Sequence, residues 1–212
     1  MFNSKYSKFL TVLLVIAIIA IVALLGFFGY DLYKKYFANK NAQEAIAQFE
    51  KATKDKDGDD SGDLEQAGNT VLSSGEGTTK LQGYTVMGTI EIPKIDVKYP
   101  ILENVTKKSI ELAVAVLYGP GLNQVGNTVI VGHNYRNGTM FSNLSKLSNG
   151  DSIYITDTTG QKVKYSIYNM YQTTAEDFEY ATRDTEGKRE ISLSTCVTND
   201  SAHRTIIWAR AD

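Results

Sequence analysis

The chain of 212 residues contains one cysteine and two histidines, so few of its side chains can do nucleophilic chemistry. Cys196 ends the alternating stretch "ISLSTC", and "VTNDSAHR" carries the chain on to His203 and Arg204. A lone cysteine cannot form an intramolecular disulfide, and without further cysteines or a histidine cluster it makes a poor zinc site. Packing or nucleophilic chemistry remains. Free cysteine packs readily as a small apolar side chain; as a nucleophile it acts through its thiolate, which neighbouring positive charge favours. If "ISLSTC" and "RTIIWAR" pair symmetrically about Asp200, Cys196 lies opposite Arg204, Ser194 opposite Ile206 and Ser192 opposite Trp208, and paired residues share a face. The same register pairs His203 with Val197 and turns it to the other face. A slip of one residue would reverse both assignments.

The second histidine, His133, follows the short apolar run "TVIVG" in the loop "GHNYRNG", where a buried strand can present a loop residue rigidly. Cysteine, histidine and arginine at strand ends suggest a covalent thiol mechanism with a nucleophile, an acid/base and an oxyanion donor. Thr195 and Ser194, the two residues before the thiol, are candidates for oxyanion or groove contacts. Thr195 reads equally well as a β-branched strand residue packed inward.

The elements that must position these residues lie in the second half of the chain. Overall composition is 42% hydrophobic and 22% charged with a formal net charge of −2, which gives no electrostatic footprint for nucleic acid. Phe9–Phe28, "FLTVLLVIAIIAIVALLGFF", carries no charge and as a helix spans roughly the ~30 Å bilayer core. It exceeds the ~7–15 residues of a signal-peptide core, and no clear A-x-A site follows, so it is expected to be an uncleaved anchor over 9–28, preceded by a short segment, 1–8. Lys5 and Lys8 on one side against Lys34, Lys35 and Lys40, less Asp31, on the other leave the orientation open. Residues 29–80 read as a helix, with apolar Ala42, Ile46 and Phe49, giving way from Lys54 to a Gly-, Ser-, Asp- and Lys-rich flexible stalk.

Residues 81–212 read as one domain, mainly β. Strands are expected in "MGTIEIPKIDVKYPIL", with interruptions at Pro93 and Pro100, in "NTVIVGH", and in a hairpin turning around Asp157–Gly160. Short helical insertions are expected at "KKSIELAVAV", capped by Thr106, and at "MFSNLSKL", where Met140, Leu144 and Leu147 repeat at helical spacing. Such a framework closes as a barrel or stacks as a sandwich, and periodicity does not choose.

The motifs themselves resemble the sortase family. "SLSTC" is similar to that family's Thr-Leu-x-Thr-Cys, with Ser192 in place of the first Thr; "VGHNYRNGTMFSNLSKLSNGDSI" resembles its histidine loop followed by Phe-x-x-Leu and Gly-Asp; and "GTIEIPKIDVKYPI" resembles its opening strands. The resemblance covers essentially Leu81 to Asp212. It implies a closed eight-stranded β-barrel, tethered by one transmembrane helix, with a cytoplasmic N-terminus and an extracellular catalytic domain at the membrane of a Gram-positive cell. The implied activity is cysteine transpeptidation: a C-terminal sorting motif such as Leu-Pro-x-Thr-Gly on a secreted protein is cut after Thr through a thioester on Cys196, and passed to an amine acceptor, a peptidoglycan precursor or a pilin lysine. His133 would be the acid/base and Arg204 would steady substrate and oxyanion. The resting protonation of Cys196 and His133 stays open. A thiol peptidase using water as acceptor and a non-catalytic tethered β-domain, such as an adhesin or pilus component, are the alternatives.

Within the family, the absence of a second apolar span after Trp208 argues against the usual pilin-polymerising members. The wording of "NGTMFSNL" is nearest to class B, yet "QTTAEDFEYATRDTEGKRE" is short for class B's added helix, so B-like and smaller A- or D-like types remain open. That segment holds Glu176, Asp177, Glu179, Asp184 and Glu186, and some class A members bind calcium there. Without EF-hand spacing a solvated acidic loop is expected, and no metal or cofactor.

Overall fold

The computed structural model describes residues 4–54, 78–135 and 138–212. Most of the expected stalk, residues 55–77, therefore lies outside the described residues. Two units are present, Met1–Lys40 and Asn41–Asp212. The helix α1 (Ser4–Lys54) supplies the first unit and the opening of the second. Within the first unit Phe9–Tyr30 is long and apolar enough to cross a membrane, and its leucines, isoleucines and phenylalanines are exposed.

The second unit is mainly β. Its strands are β1 (Lys80–Leu81), β2 (Tyr84–Ile92), β3 (Val97–Leu102), β4 (Val114–Tyr118), β5 (Gly126–Val131), β6 (Ser152–Asp157), β7 (Lys162–Thr174), β8 (Arg189–Val197) and β9 (Asp200–Ala211). They pair in the order β1-β2-β3-β4-β5-β8-β9-β7-β6, and β6 pairs back onto β2. Eight strands thus close a ring, and the two-residue β1 is a stub on its edge. Closure selects the barrel over the sandwich that periodicity left open. Two contacts, β3–β4 and β5–β8, are parallel and the others antiparallel.

Inward alternation builds the core. Ile90, Ile101, Ile130, Ile153, Ile155, Ile191, Leu193 and Ile207 are almost fully buried inside the ring, plugged at one place by Phe141 and Leu144. Pro100, expected to interrupt a strand, lies inside β3 opposite Thr89. β4 pairs only with Ile101 and Leu102, so the ladder on that side makes no demand on the N–H that proline lacks. Pro93 does end β2, opening a 3₁₀ turn over Pro93–Ile95.

Helical insertions are shorter than expected. Thr106 Oγ1 accepts the Ser109 N–H at 3.0 Å, and one turn, α2 (Ser109–Leu112), follows before β4 begins. "MFSNLSKL" forms only a 3₁₀ turn at Leu144–Lys146, with the Ser142 hydroxyl bonded back to the Thr139 carbonyl at 2.7 Å, a local competitor to helix formation. A third turn, α3 (Glu179–Thr182), lies between β7 and β8.

The last turns of α1 cover part of the barrel's outer face. Ala45 and Phe49 are buried with Leu81, Val86, Leu102, Ala113 and Ala115, and Glu50 pairs with Lys98 at 2.8 Å. Phe49 is the largest of these contacts, 2% exposed. Truncating a phenylalanine so buried typically costs about 3–5 kcal/mol. Phe49→Ala is therefore expected to destabilise the Asn41–Asp212 unit by about 3 kcal/mol or more in denaturant unfolding, whereas Gln48→Ala, at an exposed position of the same helix, should change stability little.

Candidate functional site

Cys196 is placed by β8, which is paired on both sides. Toward β9 the register joins Cys196 to Arg204, Ser194 to Ile206 and Ser192 to Trp208, as the alternation of the two strands predicts. Toward β5 the pairing is parallel and joins Ser194 to Val131. His133 lies two residues past Val131 and Cys196 two residues past Ser194. Strand neighbours lie about 4.8 Å apart, so His133 and Arg204 flank the thiol, one strand away on each side. Ile191, Leu193 and Ile207 fill the barrel interior; the alternate residues, Cys196 and Arg204 among them, face outward.

Hydrogen bonds continue the β5–β8 pairing beyond its formal end. The Gly132 N–H donates to the Ser194 carbonyl at 3.3 Å, and the Thr195 hydroxyl donates to the Gly132 carbonyl at 2.7 Å. Thr195 is buried, 4% exposed, on the face of Leu193, so its hydroxyl ties the histidine loop to the cysteine strand. Ser194, also buried, shares the outward face with the thiol between Val131 and Ile206. Gly132 is required by close approach: a Cβ there would stand 2.8 Å from Val114 Cγ1 and 2.9 Å from Phe141 Cδ2.

Asn134 was not singled out from sequence. Its side-chain amide donates to the Cys196 carbonyl and to Thr198 Oγ1, both at 3.0 Å, and it bridges to Met140 across the loop. The His133 carbonyl accepts the Phe141 N–H at 3.1 Å. The loop bearing the histidine is thus closed on itself and latched to the residue bearing the thiol. Its only sequence signal is an Asn directly after the His, a residue type apt for side-chain to backbone bonds.

Cys196, His133 and Arg204 are each partly exposed. Among the described residues no hydrogen bond or ion pair joins them to one another, so they form an open row. The His133 ring packs on Tyr135, centroids 4.7 Å apart. Burial pushes its pKa below the usual histidine value, while the carboxylate of Glu111 pulls the other way. Arg204 Nη1 donates to the carbonyls of Ser201 at 2.7 Å and His203 at 3.1 Å.

His203 departs from the expected register. Val197 pairs with Asp200 instead, because a two-residue turn with left-handed Asn199, φ 63°, closes the hairpin and leaves Ser201–His203 bulged on β9. His203 Nδ1 lies 2.6 Å from Asp200 Oδ2 in an exposed pair. The acidic segment serves local turns: Asp177 accepts the Thr173 hydroxyl and the Glu179 N–H, and Asp184 accepts the Glu186 N–H. Among the described residues no three His, Cys, Asp or Glu side chains group as metal ligands.

Comparison with known proteins gives one consistent picture. The family model for the sortase domain matches residues 90–212. Sortase A of Bacillus anthracis is 30% identical over 124 residues, 58% of this chain and 58% of that protein, so the match spans less than two thirds of the relative's length. The structure of sortase A from Corynebacterium diphtheriae superposes with a TM-score of 0.56 at 30% identity, covering 61% of each chain. Sortase C-1 from Actinomyces oris gives 0.55 at 27% identity, over 60% of this chain and 74% of that one.

The electrostatics of His133 generate a measurable expectation. Because burial lowers its pKa, its ring should titrate by NMR with a midpoint below the ordinary value near 6.5. Glu111→Gln removes an anion that favours the imidazolium, so the midpoint should fall further. A midpoint unmoved by that change would break the assigned coupling.

Proposed function

The chain belongs to the sortase family, and from that premise we propose that it is a membrane-anchored cysteine transpeptidase acting on the C-terminal sorting motif of secreted proteins. The observation that carries the reading is the outward row His133, Cys196, Arg204, set by the two registers of β8. An extended peptide laid across this row brings its scissile carbonyl to the thiol. The thiolate adds to the carbonyl carbon, and the electron pair moves to oxygen. Arg204, whose Nη1 is held by backbone carbonyls, turns the rest of its fork to that oxyanion.

Collapse of the tetrahedral intermediate breaks the C–N bond. His133 as imidazolium donates its proton to the leaving amine, and the acyl group stays on Cys196 as a thioester. An acceptor amine then attacks, His133 takes its proton, and the thiolate leaves. Burial disfavours the imidazolium, so the competent acid becomes scarcer as pH rises. Phe9–Tyr30, long and apolar enough to cross a membrane, would supply the anchor, and the reading takes the catalytic domain to be outside the cell. The acceptor is an amine of a cell-wall precursor or of a pilin lysine.

The test is mass spectrometry of the protein incubated with a Leu-Pro-x-Thr-Gly peptide, with and without an amine. A thioester on the parental chain, resolved to an amide only when the amine is added, is expected. Cys196→Ala should abolish both species. Arg204→Lys, which keeps the charge and loses the planar fork, should lose most turnover, by about 10²-fold, while methanethiosulfonate still labels Cys196. Turnover by Arg204→Lys near the parental rate would make the fork unnecessary, and efficient hydrolysis unaffected by amine would turn the reading to a peptidase.

A further inference from the structure

Away from the catalytic row, the outer face of the barrel carries a buried carboxylate that the mechanism above does not use. Glu190 lies on β8 with the alternation of Ser192, Ser194 and Cys196, and its side chain is only 1% exposed. Three donors converge on it: Arg210 Nε at 2.7 Å, the Tyr168 hydroxyl at 2.7 Å and Arg183 Nη1. The Arg183 guanidinium, 13% exposed, also stacks 4.5 Å from the Trp208 ring centroid. Burial pushes the Glu190 carboxyl up, but the hydrogen bonds from Tyr168, Arg210 and Arg183 outweigh it and hold the group ionised, below the usual glutamate range.

What this joint holds is α3. Arg183 directly follows α3, whose Tyr180 and Ala181 are buried against Val129 and Ile206, with Val131, Tyr171 and Trp208 around them. The Tyr180 and Ala181 carbonyls accept the Asn127 side-chain amide at 2.9 and 3.0 Å, and Ser192 Oγ bonds Asn127 Oδ1 at 2.9 Å. Val131 and Ile206 are the two residues paired with Ser194, one alternation from Cys196. A peptide running from the thiol along the outer face of β8 therefore meets α3 within about 7 Å of strand length. Among the described residues neither Arg183 Nε nor Trp208 Nε1, both buried there, meets an acceptor.

We propose that Glu190 is a positioning residue for the substrate: through Arg183 it holds α3 against the cysteine-bearing face, so that the wall contacting the peptide beside the scissile bond is formed before the peptide arrives. The inference rests on the transpeptidase reading and deepens it. Preformation means that binding does not have to order the segment, and its loss raises KM more than it lowers kcat. Removing the anion strands two guanidinium groups beside one another, one of them buried, so the segment should detach rather than settle.

The experiment uses the full chain in detergent with a quenched fluorogenic Leu-Pro-Ala-Thr-Gly peptide, and compares the parental protein with Glu190→Gln, Glu190→Asp and Arg183→Lys. Expected for Glu190→Gln and Arg183→Lys is a KM raised roughly tenfold or more, with kcat within about twofold and methanethiosulfonate labelling of Cys196 unchanged. Amides of residues 175–188 should exchange faster while those of β5, β8 and β9 stay protected, and Glu190→Asp should recover part of the KM. Unchanged KM with faster exchange would show that the wall is not used, and unchanged exchange would show that Glu190 does not hold it. If either variant's kcat, labelling and global protection change with KM, the role is structural and the proposal falls. A parental chain that turns over none of the peptide while resisting exchange at 175–188 would overturn the transpeptidase reading, and with it the substrate claim, a result distinct from the variant outcomes.

Discussion

β8 is hydrogen-bonded along both edges, in parallel to β5 and antiparallel to β9, and that double pairing decides where His133, Cys196 and Arg204 stand. One partner delivers the histidine and the other the arginine, with the cysteine between them. The core enforces the register. A one-residue slip of β8 would turn Ile191 and Leu193 out of the barrel, at about 1.5–3 kcal/mol each, and drive Glu190 inward against its charge. The side chains that do the packing are thus the ones that align the row.

A ring closed by β2 and β6 still has an outer face, and this face carries the row of His133, Cys196 and Arg204. Two short helical pieces cover different arcs of it. The end of α1 shields β2, β3 and β4 through Phe49 and Ala45, and α3 shields β5, β8 and β9 through Tyr180 and Ala181. Each brings a few apolar contacts and is then fixed by polar ones, Glu50 to Lys98 in one case and Asn127 to the Tyr180 carbonyl in the other. Cys196 lies past the cover of α3, at the end of β8, which leaves it partly exposed while Ser192 and Ser194 on the same strand are buried.

What could be read from the sequence was whatever has a short period or a fixed motif. "ISLSTC" and "RTIIWAR" alternate cleanly, so the Cys196–Arg204 pairing followed from counting, and the apolar run before His133 marked a buried strand. Closure of the ring was not legible in periodicity, because β2–β6 joins residues more than sixty positions apart and leaves no local pattern, and only the resemblance of the motifs pointed to the closed eight-stranded barrel that the structure has. The packing of Phe49 on the barrel was hidden for the same reason. Asn134 and Glu190 look like ordinary polar residues in sequence; their roles come from partners 62 and 7 to 22 positions away. The bulge that moved His203 out of its expected pairing depends on one left-handed residue, Asn199, a choice that a symmetric hairpin count does not contain.

That bulge also explains how the arginine is held. A symmetric hairpin would pair His203 with Val197 of β8; here a tight turn pairs Val197 with Asp200 and leaves Ser201–His203 opposite no β8 residue, while β7 still pairs with His203. Two of the bulged carbonyls, those of Ser201 and His203, are then placed to accept Nη1 of Arg204. Backbone carbonyls orient a guanidinium without cancelling its charge. A carboxylate partner would hold the group more strongly, but it would also compete with any anion developing at the thiol and would have to be displaced first. Asp200 stands nearby but is engaged with His203 at 2.6 Å, which keeps that carboxylate occupied. The irregularity at the end of the sheet therefore leaves a positive, half-anchored fork beside the cysteine, its charge not cancelled by a carboxylate.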